Sequence, residues 1–112
     1  MAFTTATVTR IEQGSKQFQG AFTEQWLCNL TVDPASIAAA GEDIATFTIP
    51  NIALGDIVVG FSAGVDLTTN ADVLAYVSAA NTLSIRISNL HASSALDLAT
   101  STWKVLIGRP SW

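Results

Sequence analysis

The one histidine of the chain, His91, lies in the stretch NLHASSALD beside Ser93, Ser94 and Asp97. Serine, histidine and aspartate are the parts of a nucleophilic triad, in which the imidazole takes the serine proton and the carboxylate orients the ring. Triad members normally converge from separate elements, and the Gly-x-Ser-x-Gly elbow that exposes a hydrolase serine is absent. His91 therefore reads as a solvated loop histidine. Glu42 and Asp43 are adjacent, so on a strand they face opposite sides, and they read as solvent-facing turn residues. A glycosidase needs two carboxyls flanking a substrate groove, and no pattern of aromatic subsites accompanies these acids. One histidine and one cysteine make no transition-metal ligand cluster. The loop aspartates Asp56, Asp66, Asp72 and Asp97 lack the alternating spacing of a calcium loop. Cys28, in the apolar run WLCNL, has no cationic neighbour in sequence to activate it and reads as a small core residue. The residues thus assign no catalytic, metal or cofactor site, and the expectation is a non-enzymatic protein.

Composition points the same way. The chain has 112 residues, enough for one domain with one core. Hydrophobic residues make up 49% and charged residues only 12%, against about 25% charged in ordinary domains. A folded chain of this size exposes roughly 5,900 Å², a large surface for five basic and nine acidic side chains to cover. Part of that surface is expected to be buried against copies of itself or a larger partner. The bases Arg10, Lys16, Arg86, Lys104 and Arg109 are scattered singly on a chain of net charge −4, which argues against nucleic-acid binding. One cysteine gives no disulfide framework. The opening MAFTTATVTR lacks a secretory pattern, and no apolar run reaches membrane-spanning length. The expectation is a product made and kept in a cytoplasm until assembly.

The elements behind this surface are strands. Residues 26–32 alternate, with Trp26, Cys28, Leu30 and Val32 on one face. Ala45, Phe47 and Ile49 point one way and Ile44, Thr46 and Thr48 the other. Val73, Ala75 and Val77 oppose Leu74 and Tyr76. Leu83, Ile85 and Ile87 face inward, with Ser84, Arg86 and Ser88 outward. Trp103, Val105 and Ile107 close the pattern. The corner TIPNIALGDIVVG reads as a strand ended by Pro50, a crossing segment burying Ile52 and Leu54, and a Gly55-Asp56 turn into IVVGFSA. That last strand is apolar on both faces, as in one packed inside a sandwich or against a partner. PASIAAAGE is the one helical fragment, two turns at most, with a loop as its alternative. Residues 1–25 are rich in Thr and Gln, and they read either as an extended arm that orders against a neighbour or as an edge hairpin. Together these features predict an all-β fold, an antiparallel sandwich of jelly-roll-like or immunoglobulin-like type over residues 26–112, with an extended N-terminal segment over 1–25.

Four aromatic residues stand out as contact candidates: Phe18 and Phe22 in the N-terminal segment, Tyr76, and Trp112, whose burial would remove on the order of 200 Å² from water. Trp112 either folds back on its own domain or anchors a neighbour.

Residues 33–110 carry a Gly-Asp corner before an aliphatic strand, then VSAANTLSIRISN, then WKVLIGRP. This pattern resembles small bacteriophage virion proteins. The resemblance implies a β-sandwich, often trimeric, that serves as a capsid decoration or cement protein, a head fibre, or a tail or baseplate component. Its expected partners are its own copies, as a homotrimer, and the major capsid protein or other virion subunits, with no nucleic acid and no membrane. The expected location is the virion, after synthesis in the host cytoplasm. The alternative function is a receptor- or carbohydrate-binding fibre module, with Tyr76 or Trp112 stacking on the ligand.

Overall fold

A computed structural model describes residues 3–14 and 21–112. Seven strands form in order: β1 Thr5–Gly14, β2 Phe22–Asp33, β3 Glu42–Thr48, β4 Ile57–Ser62, β5 Ala71–Ala79, β6 Thr82–Asn89 and β7 Ser101–Pro110. They make a four-stranded sheet, β1-β2-β7-β4, and a three-stranded sheet, β3-β6-β5. Every pairing is antiparallel. The protein is a β-sandwich, as its alternating strands predict. The pairs β2–β7 and β3–β6 are nested in sequence around β4 and β5, which is the winding of a jelly roll.

Alternation decides what the sheets enclose. On β2, Trp26, Cys28, Leu30 and Val32 are buried; their partners on β7 include Ile107, Val105 and Trp103. Ala45 and Phe47 on β3 oppose Ile85 and Leu83 on β6, and all four are buried. Loop residues Ile37, Ile49, Ile52, Leu96 and Leu98 fill the ends of this core. Cys28 belongs to it, and burial pushes its thiol pKa up to about 11, consistent with an inert packing residue.

Several local expectations change. Residues 34–41 form no helix. Ile37 makes a backbone bridge with Leu96, with hydrogen bonds of 2.7 and 2.9 Å. The buried Asn89 amide then donates to the carbonyls of Ile37, Ala38 and Ser94. Those bonds give the backbone non-helical partners, so weak helix propensity loses to tertiary contacts. β1 pairs along its length with β2 as an edge strand, and β2 opens at Phe22, so it crosses the boundary between Gln25 and Trp26. Ser84 faces outward but is buried, its hydroxyl 2.6 Å from that of Ser78. Leu54 is 71% exposed rather than buried, while Ile52 is buried as expected.

The Gly55-Asp56 corner is held from a distance. Gly55 takes a φ of 98°, a left-handed conformation that costs glycine little. The Asp56 carboxylate accepts two bonds of 2.9 Å from Arg109 Nε and Nη2 and one of 2.8 Å from the Ala53 amide. Arg109 Nη2 also donates to the Asn51 carbonyl at 2.8 Å. The guanidinium sits 5.2 Å from the centre of the Trp26 ring, within cation–π range. The Arg109 pKa is raised, first by its hydrogen bond to Asp56. One side chain of β7 thus pins the β3–β4 crossing over the end of the core.

Arg109→Lys keeps the charge but loses the planar fork and most of the ring contact. The Asp56 side chain is 4% exposed and that of Arg109 38%, so the loss lies at the low end for a partly buried pair, about 2 kcal/mol. Urea unfolding of the variant against the parent measures it.

Candidate interaction surface

The groups that could do chemistry do not converge. No hydrogen bond joins the His91 ring to Ser93, Ser94 or Asp97. The His91 amide instead donates to the Asn89 side-chain oxygen at 3.0 Å, and its carbonyl accepts from the Ala40 amide. His91, Glu42 and Ser88 line a shallow depression of about 570 Å³, and no hydrogen bond links the three. Among the described residues no three His, Cys, Asp or Glu side chains gather as metal ligands would.

Asp43 departs from its expected place. It is 1% exposed and points into the sandwich from the first turn of the β3 alternation, while Glu42 faces solvent near Arg86, at 3.9 Å. Neither Asp43 oxygen makes a hydrogen bond of normal geometry. Desolvation by burial raises its pKa, and the nearby amides of Ile44 and Ala35 offset part of the rise. A lone buried carboxyl without an acid–base partner is a cost in stability rather than a catalytic group.

What the fold does display is apolar surface. On the outer face of the four-stranded sheet, Leu27 on β2 pairs with Leu106 on β7, which pairs with Gly60 on β4. The next row runs Gln25, Gly108, Ile57. Phe22 lies flat across Gly108: a Cβ there would stand 2.7 Å from the phenyl ring. Only glycine admits that ring, so the sequence leaves a bare backbone for an aromatic cover. Trp112 stacks at a tilt on Phe22, with ring centres 6.2 Å apart. The Ser111 amide bonds the Ala21 carbonyl at 3.1 Å and keeps the tail beside β2. Trp112 still is 80% exposed, Leu27 40% and Ile57 39%. Leu27, Leu106, Gly60 and Val59 line a shallow groove of about 330 Å³. Lys104, bonded to Asn29, stands at one margin, and the exposed Glu12 of β1 lies opposite Leu27 at the other.

Of the candidate contact residues, the structure joins Phe22 and Trp112 in this patch. Tyr76 stands apart, half-exposed on the outer face of the three-stranded sheet, in a row with Thr46 and Ser84. Tyr76 and Trp112 therefore form no shared stacking platform. Phe18 lies outside the described residues. Ile57 lies in the strand that the sequence marks as apolar on both faces; for Leu27 and Leu106 the signal in the sequence is an apolar residue on the polar phase of a strand. Comparison with protein-family models, curated proteins and solved structures finds no match to this chain.

Asp43→Asn tests the cost of the buried carboxyl. The folded state holds the Asp43 proton more tightly than the unfolded chain does. The stability that goes with this is full below the ordinary pKa of 3.8 and is lost as pH rises through the raised folded value. The variant should match the parent near pH 3 and exceed it by about 1 kcal/mol at pH 7. Denaturant titrations at both pH values provide the check.

Proposed function

We propose that this chain is a non-enzymatic structural protein of a bacteriophage particle, best suited to capsid decoration or cementing, acting as a homo-oligomer. The motif resemblance over residues 33–110 supplies the setting. The observation that carries the physical reading is the outer face of the four-stranded sheet, where Trp112, Leu27 and Ile57 are exposed beside the half-buried Phe22, with Lys104 at one margin and Glu12 of β1 at the other. Scattered exposed leucines are normal, but an apolar patch built on cross-strand neighbours marks a contact surface. Its aromatic pair, Phe22 and Trp112, suits anchoring.

Mechanically, such a protein acts by burial. A standard contact takes about 800 Å² from each partner, roughly one seventh of the 5882 Å² of this surface. Many identical copies on a lattice add avidity, so each contact holds without being tight. Apolar burial needs no charge complementarity, which fits a chain with so few ionised residues.

Leu27→Asp places a charge in the patch without touching the core. In co-sedimentation with empty capsids, the parent should pellet with the shells. Leu27→Asp should bind at least tenfold more weakly while keeping its fold by circular dichroism. A parent chain that stays in the supernatant at all concentrations contradicts the reading, as does unchanged binding by the variant.

A further inference from the structure

A sandwich of two open sheets has four edge strands, here β1, β4, β3 and β5. Natural edges are guarded by charge, because a free edge is a template for another strand. β1 carries Arg10 and Glu12, β3 carries Glu42 and Asp43, and β5 carries Asp72. β4, with sequence IVVGFS, carries no ionised residue and no proline. Its Ile57, Val59 and Phe61 are 39%, 43% and 38% exposed. It pairs on one side only, with β7.

β4 also matches itself. Paired with β7, Ile57, Gly60 and Ser62 lie in outward-facing rows, while Val58 and Phe61 lie in inward-facing ones. The break in alternation is a bulge at Val59. Set two copies antiparallel about a two-fold axis between Val59 and Gly60. Ile57 then meets Ser62, outward on outward, and Val58 meets Phe61, inward on inward. Val59 meets Gly60, where an added Cβ finds nothing within 4 Å. Ile57, Val58, Phe61 and Ser62 thus pair with their pleats in phase. No register of this strand puts like charges opposite each other. Without the bulge the same centre would set inward residues against outward ones.

Resting on the reading of this chain as an assembling subunit, we infer that its occupant at β4 is a second copy, paired edge to edge through residues 57–62. The product is a continuous eight-stranded sheet. The two Phe22–Trp112 patches lie on one side of it, ready to dock together. The contact is isologous and consumes both β4 edges, so it closes at two copies and does not propagate into a fibre. It gives even-numbered assemblies, in contrast to the trimer that the resemblance implies.

The test uses the full chain. Sedimentation velocity should show the mass moving from one protomer to two as concentration rises. Val59→Lys, at an exposed edge position, should weaken that association at least tenfold. A register test is independent of that variant. Residues directly opposite across antiparallel strands have Cα atoms about 5 Å apart, within disulfide reach. An equimolar mixture of Ile57→Cys and Ser62→Cys chains should therefore cross-link to dimers on mild oxidation, and neither chain alone should. Cys28 is buried and stays silent. A parent chain that remains monomeric, a three-protomer mass, association untouched by Val59→Lys, or cross-linking of either cysteine variant by itself overturns the inference. Capsid co-sedimentation is scored separately. Pairing without shell binding leaves β4 pairing standing and removes the virion reading. Shell binding by a monomer does the reverse.

Discussion

Arg109 is the constraint on which the arrangement of this sandwich turns. A two-sheet fold leaves the ends of its core open, and here Arg109 and the buried Trp26 ring lie together near one of them. The guanidinium covers that ring, forks onto Asp56 and reaches the Asn51 carbonyl. It therefore does three tasks at once: it shields the indole, neutralises a nearly buried carboxylate, and fixes the crossing from one sheet to the other. Asn51 extends the tie to both sheets, through Gln13 of β1 and Asn81 of the β5–β6 turn. Neutralising Asp56 there has a further effect. β4 begins just after it, and the strand leaves the corner with no uncompensated charge at its root.

The outer surface follows from that placement. Because the corner delivers Ile57 beside Gly108, and Gly108 accepts Phe22, the aromatic pair and the aliphatic row become neighbours. The inner surface is ordinary by comparison: branched aliphatics and two tryptophans, with the Asp43 carboxyl and the Trp26 Nε1 buried without a hydrogen bond. No hydrogen bond links the chemistry-bearing side chains His91, Glu42 and Ser88. His91 is in a loop stitched by Asn89, and the acids stand apart around the rim. The molecule's distinctive features are on its faces and edges, which is where a subunit of a larger body would need them.

Strand faces were legible in the sequence because the period of two is a local property. Trp26, Leu30, Phe47, Ile85 and Ile107 could be assigned to the core from their neighbours alone. Pairing was not legible, because Arg109 and Asp56 meet across more than fifty positions and alternation says nothing about partners. Asp43 was misread for a related reason: its polarity suggested a turn, while its phase, shared with Ala45 and Phe47, pointed inward. Leu54 failed in the opposite sense, since crossing segments have no period to follow. Besides apolar residues on the polar phase of a strand, a readable hint of the outer patch was Gly108, a glycine inside a strand, which signals that something lies close against the backbone.

The nesting of the strands bears on how the chain reaches this form. β2 needs β7, and the residues that join them, such as Phe22 and Pro110, lie near opposite ends of the sequence. During synthesis β2 and β4 are made before β7, the strand that lies between them, so Val58 and Phe61 exist before their partners do. Closure of the four-stranded sheet waits for β7. Topologies dominated by such distant pairings fold slowly and spend longer exposed to aggregation.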